Sequence, residues 1–175
     1  MYVSIRFMAV AALLVFAEGT VDEAPSLREV RSRNFEVVTI AGKRLPLTDF
    51  LPEGRPAVVE FWATWCAPCR KTVPQLVLLS TRYEESELTI LGLNIENPVR
   101  DLEKVQEFIS DEGVSYPVVF ASHELFEFMN QQDRLGVPKL LFYDSEGNVV
   151  EHILRYSPLT KRRIKKAAGR AMAGE

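Results

Sequence analysis

The feature that most constrains this chain is the stretch AVVEFWATWCAPCRKTVPQL, which occupies residues 57–76. It starts as an apolar run typical of a buried strand and continues with the spacing of an amphipathic helix. The two cysteines of the 175-residue chain, Cys66 and Cys69, both fall where the strand gives way to the helix. The stretch therefore predicts a strand, a turn and a helix that carry a Cys-x-x-Cys pair at their junction.

Predicted strands and helices alternate along the rest of the chain. The strands are expected at residues 35–40, 44–47, 57–63, 88–95, 117–120, 139–143 and 148–155, and the helices at 67–83, 97–113, 122–132 and 158–172. The first two strands read as a hairpin, and the last two read as an antiparallel pair across a turn. This order predicts a three-layer α/β/α sandwich with a mixed central sheet.

The first residues differ in character from the rest. One arginine precedes an unbroken apolar run at residues 7–17, and small residues lie just before Glu18. This is the pattern of a secretory leader, and the run of 11 residues is short for a bilayer-spanning helix, which needs about 20. We predict a signal peptide at residues 1–17, with an uncleaved membrane anchor or a buried core segment as alternatives. Residues 18–34 are polar and weakly periodic, which predicts a linker or arm before a domain at residues 35–175.

The composition is that of an ordinary soluble globular protein, with 47% hydrophobic and 26% charged residues. At a net charge of −3, nothing in the charge balance favours nucleic acid or an anionic membrane as a partner. Two cysteines form at most one bridge, so a structural disulfide framework is excluded. A zinc site needs two more ligands close by, and the two histidines, His123 and His152, lie far from the cysteines, so no metal site is predicted.

The spacing of the cysteines assigns them different roles. A cysteine at the first turn of a helix faces unpaired N–H groups and the positive end of the helix dipole, which favour the thiolate. In Cys-x-x-Cys pairs at helix starts the thiol pKa falls by one to several units below about 8.5. Cys66 is therefore the candidate nucleophile, and Cys69 the resolving thiol that closes the ring. A purely structural disulfide is the alternative.

Three segments resemble one known family. FWATWCAPCRKTVPQL resembles the active-site signature of the thioredoxin superfamily, and its form is similar to that of the TlpA/ResA-like thiol–disulfide oxidoreductases. FEVVTIAGKRLPLTDF resembles the family's N-terminal hairpin, and LGVPKLLFYDSEGNVV resembles the strand and turn that follow the motif. The resemblance implies a thioredoxin-like fold and a protein thiol–disulfide oxidoreductase. Its redox-active group is then the Cys66–Cys69 disulfide, with no separate cofactor.

The resemblance also implies how a substrate binds. Val137-Pro138 is then a cis peptide bond packed against the cysteines, and the backbone of Val137 pairs with an extended segment of the substrate. Trp65, Ala67 and Pro68 complete the expected contact surface around the nucleophile. Lys139 stands where the family usually has threonine. This lysine could favour acidic partners or lower the pKa of the Cys66 thiol, or its side chain could simply be exposed to solvent.

A single acid, Glu60, interrupts the predicted central strand. A buried carboxylate without a partner is costly, and such a group takes up a proton rather than staying charged. The matching position in thioredoxin is a buried aspartate that takes and returns the proton of the inner thiol, whereas TlpA-like proteins usually have asparagine. Our hypothesis is that Glu60 lies beneath Cys69 with a raised pKa and accepts its proton. The alternative is that Glu60 reaches solvent at an edge of the sheet.

The function implied by the resemblance is disulfide exchange outside the cytoplasm, in the periplasm or another extracytoplasmic space. Protein disulfides are the expected substrates, with apocytochrome c and a membrane thiol-reductant donor as candidate partners, and the protein is expected to be a monomer that binds no nucleic acid. Ala67-Pro68 lacks the histidine of strongly oxidising pairs, so the reducing direction, as in cytochrome c maturation, is favoured over an oxidase or isomerase. A non-catalytic peptide-binding module and a copper-handling protein are the alternatives.

Overall fold

A seven-stranded mixed sheet forms the middle layer of the molecule. The structure, a computed structural model, describes residues 24–130 and 136–174. The predicted leader at residues 1–17 lies outside the described residues, as do residues 18–23 of the predicted linker. The strands are β1 (Glu36–Thr39), β2 (Arg44–Pro46), β3 (Ala57–Trp62), β4 (Thr89–Asn94), β5 (Val118–Phe120), β6 (Lys139–Tyr143) and β7 (Val149–Ile153). The helices are α1 (Leu27–Ser32), α2 (Cys69–Arg82), α3 (Leu102–Asp111), α4 (His123–Asn130) and α5 (Thr160–Ala173).

The strands follow the order β2-β1-β5-β4-β3-β6-β7 across the sheet. β3, β4 and β5 are parallel, and the β1–β2 and β6–β7 hairpins are added antiparallel on the two sides. Side chains of α2, α3 and α5 belong to the hydrophobic cluster on one face of the sheet, here called the α2 face. Those of α1 and α4 belong to the cluster on the other, here called the α1 face. This arrangement confirms the predicted α/β/α sandwich with its mixed sheet and N-terminal hairpin.

β3 is an inner strand of the sheet, and all six of its residues are buried. It pairs in parallel with β4 along one edge and antiparallel with β6 along the other. Because side chains alternate along a strand, Val58 and Trp62 pack on the α2 face, while Val59 and Phe61 pack on the α1 face. Burial on both faces explains why the sequence of this strand is a nearly continuous apolar run.

The segment predicted to be a linker contains a helix where the structure describes it. Ser26 caps α1 through a capping box with Glu29, in which each side chain bonds the backbone N–H of the other residue. Leu27 is buried on the α1 face, and its backbone N–H donates to the carbonyl of Gly147 at 2.9 Å. A helix of six residues presents too few turns to show a clear periodicity, so the sequence pattern does not reveal it.

The third helix begins later than predicted. The sequence pattern placed its start at Asn97, whereas α3 begins at Leu102. The side-chain oxygen of Asn97 accepts hydrogen bonds from the backbone N–H groups of Val99 and Arg100, so this asparagine closes a turn ahead of the helix. Asparagine stabilises turns and helix starts by the same local hydrogen bonds, and the sequence alone does not separate the two.

The last helix, predicted at residues 158–172, is amphipathic. α5 packs on the α2 face, and its lysines are exposed. Its buried positions are Thr160, Ile164, Ala167, Ala168 and Ala171. Within residues 24–130 and 136–174, no helix has the length and apolar character needed to cross a membrane.

The packing of α1 predicts that it contributes to the stability of the domain. Replacing Leu27, which is 1% exposed, by alanine is expected to lower the free energy of unfolding by about 2–5 kcal/mol, because it leaves a cavity in the α1 face. The matched control is Leu78→Ala on α2, which is 57% exposed and should change stability by less than about 0.5 kcal/mol. Urea unfolding of both variants measures the difference. Equal, small effects would show that α1 is not part of the folded core.

Candidate active site

The two cysteines lie where the predicted strand–turn–helix unit places them. β3 ends at Trp62, a short loop follows, and α2 begins at Cys69. Cys66 and Cys69 are joined by a disulfide bond, with their Cα atoms 5.3 Å apart. The backbone N–H of Cys69 also donates to the carbonyl oxygen of Cys66 at 3.0 Å, which closes the turn between them. The structure thus shows the pair in its oxidised form.

The surroundings of Cys66 favour a negative charge on its sulfur. The backbone N–H of Cys69, a donor of the first helical turn, points at Cys66 Sγ from 3.2 Å. No side chain caps the start of α2 and no acid lies in its first turn, so the positive end of the helix dipole is not neutralised there. The charge of Arg70 in the same turn is paired with Glu112 at 3.0 Å. In the reduced protein the N–H group and the start of the helix stabilise a thiolate at position 66.

A glutamate that the sequence analysis missed anchors the loop before the nucleophile. The carboxylate of Glu96 accepts hydrogen bonds from the Thr64 backbone N–H at 2.6 Å and from the Thr64 hydroxyl at 2.7 Å. It also accepts one from the side-chain amide of Asn94 at 3.1 Å. Since β3 and β4 are parallel, their carboxyl ends meet at the same edge of the sheet, and the acid just after the second predicted strand was the one signal of this contact in the sequence. Glu96 thereby fixes the backbone just ahead of Cys66.

Glu60 is fully buried in the middle of β3, which rules out the alternative that it reaches solvent at an edge. The hydroxyl of Thr72, on the first turns of α2, donates to Glu60 Oε1 at 2.5 Å and lies 3.1 Å from the carbonyl oxygen of Cys69. The other carboxyl oxygen, Oε2, has no hydrogen-bond partner in the described structure. Burial raises the pKa of Glu60 to about 8, and the hydrogen bond from Thr72 opposes this only in part.

The residues expected to contact a substrate surround the cysteines. Trp65 is 68% exposed and Ala67 and Pro68 are also exposed, so together they present an apolar rim beside Cys66. Trp62, by contrast, is buried. The rim offers an apolar surface to a binding partner next to the sulfur of Cys66.

The loop before β6 completes this surface. The Val137-Pro138 peptide bond is cis, as the resemblance implies. Val137 is half-buried and packs against the hydrophobic cluster that contains both cysteines. Val137 also packs against the cluster on the α1 face, so the loop contacts both layers of the core.

Lys139 is not solvated, contrary to one of the alternatives left open above. It is 1% exposed, and its Nζ donates to the carbonyl oxygen of Met129 at 2.6 Å. Lys139 lies opposite Phe61 in the β3–β6 ladder and therefore points to the α1 face, while Glu60 points to the α2 face. The lysine holds α4 against the sheet.

An open groove of about 1060 Å³ begins beside Trp65. It lies beyond the carboxyl ends of β4 and β5, between the loops at residues 95–101 and 121–123. The helix after β4 packs on the α2 face and the helix after β5 on the α1 face, so the two loops diverge and leave a crevice. Crevices at such a reversal are common ligand sites in α/β folds. The groove gives room for a polypeptide segment next to the cysteines.

Known proteins resemble this chain over most of its length. The model of the AhpC/TSA family matches residues 30–152. The thiol-disulfide oxidoreductase ResA of Bacillus thuringiensis (strain Al Hakam) is 29% identical over 121 residues, which cover 69% of this chain and 66% of ResA. The sporulation thiol-disulfide oxidoreductase A of Bacillus subtilis (strain 168) is 22% identical over 132 residues, or 75% of this chain and 76% of that relative. The chain thus spans just under two thirds of the length of the ResA protein that it matches.

Solved structures give the same family and fold. A crystal structure of a thiol:disulfide interchange protein, a thioredoxin family protein from Chlorobium tepidum TLS, has a TM-score of 0.65 and 27% sequence identity. The match covers 86% of this chain and 95% of the Chlorobium tepidum chain. The crystal structure of StoA from Bacillus subtilis has a TM-score of 0.57 at 22% identity, and the match covers 76% of this chain and 94% of the StoA chain. This similarity supports the fold. Since the family model matches well over half of its residues, this chain belongs to the AhpC/TSA family and is a ResA-like member with a thioredoxin-like fold.

Proposed function

We propose that this protein is a thiol–disulfide oxidoreductase that reduces disulfides of protein substrates outside the cytoplasm. The observation that carries the proposal is the Cys66–Cys69 disulfide at the uncapped start of α2. The exposed Trp65 and the cis Val137-Pro138 bond beside it supply a surface for a polypeptide. The names of the relatives, thiol-disulfide oxidoreductase and thiol:disulfide interchange protein, support the same chemistry.

The reaction begins with both cysteines reduced. The Cys66 thiolate attacks one sulfur of a substrate disulfide, that bond breaks, and the other substrate sulfur leaves as a thiolate. Cys69 then gives up its proton and attacks Cys66 Sγ, and the second substrate sulfur leaves with the electron pair of the mixed disulfide. The substrate gains two electrons, and the enzyme is left with the disulfide that the structure shows. A thiol donor restores the reduced pair.

Glu60 is the proposed proton acceptor for Cys69. Its pKa of about 8 lies close to that of a thiol, so the ionised fraction of Glu60, which grows as the pH rises toward 8, takes the proton of Cys69 and releases it again. Thr72 connects the two groups, because its hydroxyl bonds Glu60 and contacts the Cys69 carbonyl. Burial keeps water away from this transfer, which favours Glu60 over solvent as the acceptor.

The proposal includes the direction of disulfide exchange and the location of the protein in the cell. Ala67-Pro68 between the cysteines offers no histidine to stabilise a strongly oxidising pair, which supports the reducing direction. The leader pattern at residues 1–17 supports export, with the leader kept as a membrane tether as the alternative to cleavage. Proteins with disulfides are the proposed substrates, apocytochrome c among them. A membrane thiol protein is the proposed reductant.

Cysteine variants and the reduction potential test the proposed function together. Wild-type protein should reduce a model protein disulfide in the presence of a dithiol, Cys66→Ser should lose this activity by at least about 100-fold, and Cys69→Ser should accumulate a mixed disulfide on a non-reducing gel. The potential of the pair is expected near that of thioredoxin, about −270 mV, rather than that of DsbA, about −120 mV. Activity of Cys66→Ser at the wild-type level would remove the enzymatic role. A potential above about −180 mV would remove the reducing direction.

A second test addresses the proton acceptor. Glu60→Gln preserves the shape of the side chain but takes up no proton, so disulfide exchange near pH 7 should slow by about tenfold and lose its dependence on a group near pH 8. The control is Glu103→Gln, an exposed acid on α3, which should leave the pH profile unchanged. Stopped-flow rates between pH 5 and 10 measure both variants. An unaltered profile in Glu60→Gln would show that another group accepts the proton.

The raised pKa of Glu60 also predicts a pH dependence of stability. In the unfolded chain Glu60 ionises near its ordinary value of 4.5, whereas in the folded protein it stays protonated up to about 8. Its contribution to the free energy of unfolding is therefore fully present below pH 4.5 and is lost as the pH rises to about 8, by roughly 2–5 kcal/mol. Glu60→Gln should remove this loss. Denaturant unfolding at pH 5 and pH 9 compares the two proteins, and the same decline in both would contradict the burial of an ionisable group at position 60.

A further inference from the structure

Three buried polar atoms on the α2 face lack a hydrogen-bond partner within the described residues. They are Glu60 Oε2, Trp62 Nε1 and the hydroxyl of Tyr116, whose residues are 0%, 1% and 7% exposed. Buried polar groups are nearly always hydrogen-bonded, so three such atoms in one region of a core require an explanation. The mechanism proposed above uses Glu60 but gives no role to the indole or the phenol.

The three side chains converge at one glycine. Gly92 lies directly opposite Glu60 in the β3–β4 ladder. A β-carbon at position 92 would lie 3.0 Å from Trp62 Nε1 and 3.3 Å from the ring carbon Cε2 of Tyr116. Glycine therefore lets both rings approach the strand backbone beside Glu60. Burial raises the pKa of Tyr116, and the nearby charge of Glu60 adds to this effect, so the two groups are within electrostatic range.

The indole is held in this position by its own packing. Trp62 stacks on Phe108 of α3 with 4.6 Å between ring centroids. The guanidinium of Arg70 in turn lies over the ring of Phe108, 4.7 Å from its centroid. The N–H direction of Trp62 is thus fixed over Gly92. The hydroxyl of Tyr116 rotates about one bond, and the carboxyl of Glu60 moves about its own side-chain bonds. These are the groups that adjust when the charge of Glu60 changes.

The donors match what the ionised form of Glu60 requires. A carboxylate is an acceptor with room for several hydrogen bonds, and Thr72 supplies one of them, at Oε1. The positions that face Glu60 on the flanking strands are Gly92 on β4 and Leu140 on β6. Within the described residues Glu60 has no salt bridge, and Cys66, Cys69 and Tyr116 are the buried titratable residues of the hydrophobic cluster on this face. Further out, Arg70 is paired with Glu112, and Tyr83 is partly buried against the cluster. The indole N–H and the phenol are then the remaining donors for Oε2.

We propose that Trp62 and Tyr116 are positioning residues whose N–H and O–H groups donate hydrogen bonds to the ionised Glu60 carboxylate before it takes the proton of Cys69. The inference rests on the proposed function, because it assigns these residues to its proton acceptor. When the proton moves from Cys69 to Glu60 and the disulfide closes, the carboxyl is neutral and both donors are released. In the structure, whose disulfide is closed, Glu60 Oε2, the indole N–H and the phenol have no hydrogen-bond partner among the described residues.

The first test observes the indole directly in the oxidised protein, where the cysteines do not titrate. The chain has two tryptophans, so its ¹H–¹⁵N spectrum contains two indole N–H signals, and Trp65→Phe assigns them. The Trp62 signal should shift as Glu60 ionises near pH 8, and this shift should be absent in Glu60→Gln. The signal of the exposed Trp65 should stay constant. A Trp62 signal that does not change between pH 6 and 10 would overturn the proposal.

The second test removes the phenol donor. Loss of a donor to the charged form disfavours the carboxylate, so Tyr116→Phe should raise the Glu60 midpoint by about one pH unit and slow exchange at pH 7 by about tenfold, with the wild-type rate recovered at high pH. The matched control is Tyr143→Phe, a buried tyrosine on the α1 face whose hydroxyl donates to the carbonyl of Pro25. It should leave the midpoint unchanged.

The two proposals fail in different ways. If Tyr116→Phe keeps the wild-type midpoint while Glu60→Gln slows exchange, the donor role is wrong and the oxidoreductase mechanism stands. If Cys66→Ser keeps full activity, the proposed function fails, whereas the indole titration still reports whether Trp62 binds the carboxylate. Equal shifts in Tyr116→Phe and Tyr143→Phe would assign the effect to core packing and overturn the proposal.

Discussion

The candidate active site depends on β3 being hydrogen-bonded along both of its edges. Because β4 and β6 hold this strand in place, its carboxyl end points the loop with Cys66 in one direction, and Glu60 is kept away from water on both sides. The parallel pairing with β4 also brings Glu96 next to Thr64, where two hydrogen bonds fix the loop while a third, from Asn94, holds the carboxylate. A nucleophile on an edge strand would have neither the anchor nor the buried acid.

Two glutamates near the same loop serve different ends because their surroundings differ. Glu96 receives donors at both carboxyl oxygens and acts as a structural anion. Glu60 is fully buried and receives one hydroxyl, so its charged form is costly and its pKa is raised to about 8. Side-chain type alone does not separate a structural acid from a candidate proton acceptor. The burial of each carboxyl does, since Glu96 is only half-buried.

The sequence predicted the sheet, the principal helices and the cysteine pair, because long apolar periodicities and a strand–Cys-x-x-Cys–helix motif are local signals. It also pointed to Glu60, since a lone acid in an apolar strand demands a reason. It did not reveal α1, whose six residues are too few for a period, or the contact of Glu96 with Thr64, which joins residues 32 positions apart. Nor did it show that Lys139 is buried, because a single cation after proline reads equally well as a surface group. Long-range packing decides each of these.

The attachment of α1 fixes where the described part of the chain joins the domain. β6 runs from Lys139, next to the cis-proline loop, to Tyr143 at the distant pole, and there Tyr143 and Gly147 hold the chain at Pro25 and Leu27. The polypeptide therefore enters the domain at the pole opposite the disulfide, about 17 Å away along the strand. A tether fastened at that pole would leave the exposed indole of Trp65, beside Cys66, at the far end of the domain and accessible to arriving proteins.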